Sequence, residues 1–254
     1  MNIGLVGYGK LARHLAPALI EAGHLINQWL VRDETHHDEI FENYNVQSVI
    51  HANDISDSVS EVIILMVNDS SIEHVANQLE ISNSIVCHTS GMTPLQALPF
   101  PNSGIFYPLN TFSGLHSGWD RDTPMLLQAR NQNTLNLLID LANDISQRVQ
   151  VIDAEKAKIL HMAAVISQNF SNYLISRAES ILEQNDLDRA LIQPLLVTMI
   201  KNVSDSPAIF NQTGPAMRND TQTIESQLKL LQDQPNLQRL YKLISEDIQS
   251  QNFH

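Results

Sequence analysis

Over residues 1–153, short continuous apolar runs alternate with stretches where apolar residues recur every three or four positions. The runs suit strands buried on both faces, and the periodic stretches suit helices packed on such a sheet. Strands are expected at residues 3–6, 26–31, 46–51, 62–67, 85–88, 104–107, 125–128 and 149–152. Helices are expected at about 10–22, stopped by Gly23, at 72–79 behind the capping run Asp69-Ser70-Ser71, and at 133–146. This alternation implies an α/β fold, a doubly wound Rossmann-type parallel sheet with helices on both faces.

The pattern changes near Asp153. From Ala154 onward no strand is expected. Helices are predicted at about 154–184, 187–203, 221–232 and 235–249, with a loop over 204–220 that carries Pro207, Gly214 and Pro215. Pro194 falls near the first turns of its helix, where proline is tolerated. Two domains follow: residues 1–153, binding a dinucleotide, and residues 154–254, smaller and all-helical. The second has few residues for a core of its own, so it is expected to complete one by forming a homodimer.

The most informative motif lies where the first strand meets the first helix: Gly7-Tyr8-Gly9-Lys10-Leu11-Ala12. A Gly-x-Gly-x-x-Ala run in a strand–turn–helix context is a dinucleotide-binding signature. Gly7 allows the tight turn, Gly9 lets a pyrophosphate approach the backbone, and Ala12 lets the helix pack close to the strand. The helix N-terminus offers unpaired N–H groups to phosphates, and Lys10 adds a cation in the first turn. The bland alternative is a tight turn without a ligand.

The end of the second strand bears on cofactor choice. Enzymes using NAD usually place an acidic residue there for the ribose 2′-OH. Here the position is Val31, followed by Arg32, whose guanidinium suits a 2′-phosphate. NADP is therefore expected over NAD, with Asp33 as the residue that one step of slippage would turn into a ribose ligand. His36 and His37 could line the adenine side; solvated loop histidines are the alternative.

Composition narrows the partners. A net charge of −13 argues against nucleic acid and anionic membranes. It also makes Arg32, Lys10 and Arg13 more important to any phosphate ligand. No apolar run approaches a membrane span. The one cysteine, Cys87, fits a reducing compartment and sits in an apolar strand, so it reads as a core residue. With no signal segment before the first strand, a cytoplasmic location is expected. No metal site is expected.

In such sheets ligands bind at the carboxyl ends of the strands. Three polar clusters fall there: Val67-Asn68-Asp69, His88-Thr89-Ser90-Gly91 and Tyr107-Pro108-Leu109-Asn110-Thr111. Each alone reads as a strand terminator; together they mark the default site. The long helix adds His161, with Gln168 and Asn172 on the same line of a 3.6-residue wheel and Asn169 off it. A histidine there suits proton donation to a carbonyl or imine during hydride transfer. His88 is the rival acid, and a hydrogen-bonded interface histidine is the alternative for His161. No nucleophile–base motif supports a hydrolase or zinc-enzyme reading.

With these residues in place, the whole chain resembles Rossmann-like NADP oxidoreductases whose helical C-terminal half is a domain of unknown function of the DUF2520 type. These are relatives of pyrroline-5-carboxylate reductase, prephenate dehydrogenase, the deazaflavin-dependent NADP oxidoreductases and 6-phosphogluconate dehydrogenase-like proteins. The glycine loop carries the resemblance with His88-Thr89-Ser90-Gly91, Phe106-Tyr107-Pro108-Leu109-Asn110-Thr111-Phe112, Leu160-His161-Met162-Ala163-Ala164-Val165 and Asn169-Phe170-Ser171-Asn172. Most specific is Thr213-Gly214-Pro215-Ala216-Met217-Arg218-Asn219-Asp220. The resemblance implies a Rossmann domain, a helical dimerisation domain and a site between them, without supplying a substrate. Two departures matter. The Lys-x-x-x-Asn pair of related 3-hydroxyacid dehydrogenases is absent, since Leu160 and Met162 stand four after Lys156 and Lys158. Tyr107-Pro108 replaces the His-Pro of prephenate-type enzymes.

The expectation is an NADP-dependent oxidoreductase that moves a hydride to or from a small carbonyl or imine compound held between the two domains. Gly7, Tyr8, Gly9, Lys10, Leu11, Ala12, Arg32, Val67, Asn68 and Thr89 would bind the cofactor. Catalysis would fall to His161, with His88, Ser90 and Asn169, and substrate binding to Tyr107 and Arg218. Arg218 could instead pair with Asp220 and fix its loop. The rival from another class is a dinucleotide-binding sensor or scaffold without turnover; exchange between NADP and a deazaflavin ranks lower.

Overall fold

The computed structural model describes residues 1–44, 46–50, 59–113 and 118–251. The chain forms two compact units, residues 1–167 and 168–254.

Unit 1 is built on a sheet with strand order β3-β2-β1-β4-β5-β6-β7-β8. Its strands are β1 (Asn2–Val6), β2 (Leu25–Leu30), β3 (Ser48–Ile50), β4 (Val62–Leu65), β5 (Ile85–His88), β6 (Ser103–Pro108), β7 (Met125–Ala129) and β8 (Val149–Val151). The third strand expected over 46–51 is shorter, and His51 lies outside the described residues. The chain runs outward from β1 through β2 and β3, then returns to β4 on the other side of β1. That reversal makes the gap between β1 and β4 the switch point, where such folds hold ligands beyond the strand carboxyl ends.

The inner strand β4 is an apolar run because both of its faces are covered. In β4, Val62 and Ile64 enter the core beneath α1 (Lys10–Glu21), α2 (His37–Tyr44) and α4 (Gln132–Ile145), with Leu15, Leu19, Ile40 and Leu138. Ile63 and Leu65 point the other way, to Ile72 and Ala76 of α3 (Ile72–Ala76) and to Leu98 and Phe100. A strand that sends alternate side chains into two cores has no room for a polar face.

One expectation is corrected. The sheet is not wholly parallel: β7 runs antiparallel to β6. A parallel return requires a long crossover, most often a helix. Residues 109–124 contain no helix among the described residues, so the chain doubles back beside β6. Between β7 and β8, α4 supplies the crossover, and that pair is parallel.

After β8 comes α5 (Ala154–Ala164), capped by Asp153, whose carboxylate accepts the Lys156 N–H at 2.9 Å. Its Ala157 packs with Leu126 of β7 and Ile152, and Leu160, Tyr107 and Leu109 border this cluster. This packing brings the next residue, His161, to the end of β6.

The uninterrupted helix expected over 154–184 is broken by a π-helical stretch, Val165–Phe170, before α6 (Ser171–Gln184). Bonds from i to i+5 widen the turn and admit one extra residue. A 3.6-residue wheel therefore does not carry from His161 to Gln168 and Asn172, and the polar stripe drawn on it falls.

Unit 2 comprises α6, α7 (Gln193–Asp205), α8 (Thr221–Leu230) and α9 (Pro235–Ser250). The Arg177 guanidinium donates to Gln234 Oε1 at 2.7 Å, tying α6 to the start of α9. Neither α6 nor α7 buries any residue, and Leu195 and Val197 of α7 are 68% and 69% exposed. No helix among the described residues is long and apolar enough to cross a membrane.

Candidate functional site

The glycine loop is held by main-chain and indole contacts from β2. Gly7 N–H donates to the Leu30 carbonyl at 2.8 Å, and Trp29 Nε1 donates to the Gly7 carbonyl at 2.9 Å. Gly7 has φ +98°, and a Cβ there would stand 2.6 Å from the Met66 carbonyl oxygen. Only glycine lets the turn close against the chain leaving β4. Gly9 is the opposite case: a Cβ there would meet nothing within 4 Å. The space a side chain would fill stays open at the N-terminus of α1, which no side chain caps and which has no acid in its first turn. An open, uncapped helix start fits a pyrophosphate. Ala12 is fully buried, as the close packing of helix on strand requires.

Tyr8 turns toward β2 and α2. Its ring meets Trp29 edge-on at 5.4 Å, lies 5.0 Å from the His36 ring, and carries the Arg13 guanidinium 4.7 Å above it. Burial, with Glu39 and Tyr44 nearby, pushes its phenol well above the usual range. Lys10 and Arg32 are exposed. The Asp33 carboxylate accepts the Thr35 N–H at 3.0 Å and its hydroxyl at 2.8 Å, and these bonds hold its pKa down. Asp33 is thus engaged in its own turn.

The polar strand ends do come together, because β4, β5 and β6 are adjacent and parallel. After β4, Val67 borders the core, while Asn68 and Asp69 are exposed. After β5, the Thr89 hydroxyl donates to the Leu65 carbonyl at 3.3 Å. His88 is fully buried, and its Nδ1 accepts the Ser90 N–H at 3.2 Å. Nδ1 as acceptor places the proton of a neutral ring on Nε2, and the Pro94 backbone lies near the ring. Burial pushes the pKa of His88 down to about 4. The Ser90 hydroxyl oxygen accepts the N–H groups of Met92 at 3.1 Å and Thr93 at 2.9 Å.

At the end of β6, the Tyr107 hydroxyl lies 3.0 Å from His161 Nδ1 on α5. Tyr107 is half-buried; burial, and then the Asp69 carboxylate, push its pKa up to about 12. His161, expected from sequence as the proton donor, and Tyr107, expected to bind substrate, form one hydrogen-bonded pair at the carboxyl edge. Cys87 is buried and its thiol pKa raised by burial, as a core residue should be.

Asn169 lies exposed in the π-helical stretch. In unit 2, Asp220 caps α8, accepting from the Thr223 N–H at 3.0 Å and its hydroxyl at 2.7 Å. Exposed Arg218 helps to keep that carboxylate ionised.

Sequence reasoning missed Trp29. The available signal was a tryptophan inside a buried strand, whose indole N–H must find a partner. It also missed the contact between Gly91 and Tyr107, which no spacing rule reveals.

Fold and site define the class: an oxidoreductase-type NAD(P)-binding Rossmann unit followed by an all-helical unit. Residues 2–89 match the family of NADP oxidoreductases, coenzyme F420-dependent, and residues 123–248 match the domain of unknown function DUF2520. The two matches follow one another along the chain. A solved structure of a candidate NADP oxidoreductase from Bacteroides fragilis is 29% identical, covers 98% of each chain and has a TM-score of 0.90. The 1-pyrroline-5-carboxylate reductase of Streptococcus pyogenes is 16% identical over 99% of each chain, with a TM-score of 0.61. The imine reductase of Streptomyces aurantiacus is 11% identical over 100% of this chain and 97% of its own, with a TM-score of 0.67. No curated protein matches the sequence.

Proposed function

We propose that the protein is an NADP-dependent oxidoreductase acting on a carbonyl or imine carbon of a small molecule. The observation that carries this is the 3.0 Å contact between Tyr107 and His161 at the carboxyl edge of the sheet. The same edge carries a glycine loop open at Gly9 and closed at Gly7. The B. fragilis structure described as an NADP oxidoreductase, and the imine chemistry named for the S. pyogenes and S. aurantiacus enzymes, support the reading.

The bound dinucleotide supplies or accepts the hydride. The main chain of Gly7 to Ala12, with Lys10, holds its pyrophosphate, and Arg32 holds the 2′-phosphate. Both Thr35 bonds fall on one oxygen of Asp33; Arg32 is assigned the 2′-phosphate on the chemistry of its guanidinium. Val67, Asn68 and Thr89 line the strand ends where the nicotinamide half would lie.

When the substrate carbon gains a hydride, its oxygen or nitrogen must gain a proton. Tyr107 stays protonated at neutral pH and can donate; His161, in contact through Nδ1, replaces that proton. His88 and Ser90 serve by shaping the loop, since His88 stays neutral and the Ser90 oxygen is taken by two amides. The unit-2 helices, with no buried residue on α6 or α7, pair with a second copy of the chain.

The test is NADPH oxidation against a panel of cyclic imines, 2-oxo acids and aldehydes, with coenzyme F420 as one arm. Turnover that falls in both Tyr107→Phe and His161→Gln, with NADPH binding kept, supports the reading. Turnover unchanged in both variants retires the pair. NADPH binding without turnover on any arm turns the reading toward a sensor.

A further inference from the structure

A Cβ built on Gly91 would stand 2.4 to 2.9 Å from the Tyr107 ring, at Cε1, Cζ and Cδ1. No such contact is tolerated; either the ring or the loop must move. Nothing in the backbone requires glycine here, because Gly91 is absent from the residues with positive φ. The ring alone accounts for the missing side chain.

The loop cannot readily yield. His88 Nδ1 accepts the Ser90 N–H, the Ser90 oxygen accepts the Met92 and Thr93 N–H groups, and the Thr89 hydroxyl holds the Leu65 carbonyl. The Tyr107 backbone cannot yield either, since β6 is hydrogen-bonded to β5 and to β7. The free coordinate is rotation of the phenol, and rotation carries its hydroxyl off His161.

We infer that Gly91 is a positioning residue for the Tyr107–His161 pair: the bare Cα of a braced loop is the stop against which the phenol rests. The inference rests on that pair as the proton-handling site. It gives the buried His88 and the Ser90 oxygen, which accepts two amides, a role: they brace the stop.

The test is the ¹⁵N resonance of His161 Nδ1 at fixed pH, in the full-length protein and in Tyr107→Phe and Gly91→Ala. Tyr107→Phe removes the hydroxyl and is expected to move the resonance. Gly91→Ala, keeping the hydroxyl, is expected to move it to the same place. Thermal melts in two backgrounds complete the test. Gly91→Ala should lower Tm, or prevent folding, beside Tyr107, and cost nothing beside Tyr107→Ala, where no ring stands in the way. A Gly91→Ala resonance at the wild-type position, or an equal loss of Tm in both backgrounds, overturns the inference and leaves the pair standing. An unmoved resonance in Tyr107→Phe overturns the pair itself.

Discussion

The Tyr107 hydroxyl and His161 Nδ1 meet at 3.0 Å although 54 positions separate them. In the proposed reaction neither group alone is a complete proton source. A phenol with its pKa near 12 keeps its proton at neutral pH, and an imidazole in contact with it can return what it gives away. Loss of a positioned general acid typically costs about 10²- to 10⁴-fold in rate. Tyr107→Phe and His161→Gln should each lower kcat by roughly 10²-fold or more, with the double variant little worse than either, because the two act as a unit. Steady-state kinetics on whichever panel substrate turns over reads this directly.

His88 predicts an acid-sensitive fold. Its folded pKa lies near 4, below the ordinary 6.5. Between those values the unfolded chain binds a proton that the folded chain refuses, so stability falls as pH drops from 6.5 toward 4. Above 6.5 the group contributes no pH dependence. The loss amounts to about 3 kcal/mol at most. In His88→Asn, whose side-chain oxygen can still accept the Ser90 N–H, this part of the acid limb should flatten. Tm measured from pH 7 to pH 4 in both proteins checks it.

Cofactor choice is expected to rest on Arg32. Arg32→Ala should weaken NADPH by about 10- to 100-fold, the loss of a charge-assisted contact, and leave NADH within about 2-fold. Fluorescence titration with both nucleotides tests it; equal loss for both would assign Arg32 to the shared part of the cofactor.

Trp29 links stability to the glycine loop. Its indole N–H satisfies the Gly7 carbonyl at 2.9 Å from within a fully buried side chain. Trp29→Phe leaves that acceptor unpaired and opens a void, for about 1–3 kcal/mol. Urea unfolding should show this loss, and NADPH affinity should fall with it; an affinity unchanged in the folded variant would mean the indole does not shape the loop.

The exposed apolar face of α7 predicts self-association. Leu195→Asp, at a side chain 68% exposed in the single chain, should leave the fold intact and yield monomers by light scattering. A wild-type protein that is already monomeric would remove the dimer.

The sequence by itself determined the strand–helix alternation, the glycine loop and the all-helical second half. These rest on local facts: an apolar run long enough for one strand, a turn that admits only glycine at position 7, a periodicity near 3.6. Tertiary structure decided the rest. The reversed direction of β7 is decided by its pairing with β6, which a propensity pattern does not encode. The π-helical stretch displaced a polar stripe drawn on an ideal wheel. Trp29 found Gly7, and Gly91 found Tyr107, through packing between segments far apart in the chain. His161 was legible as a candidate proton donor and Tyr107 as a substrate-binding residue. That they are one pair follows only from α5 laying Leu160 on the cluster at the end of β6, a contact that exists once the sheet has closed.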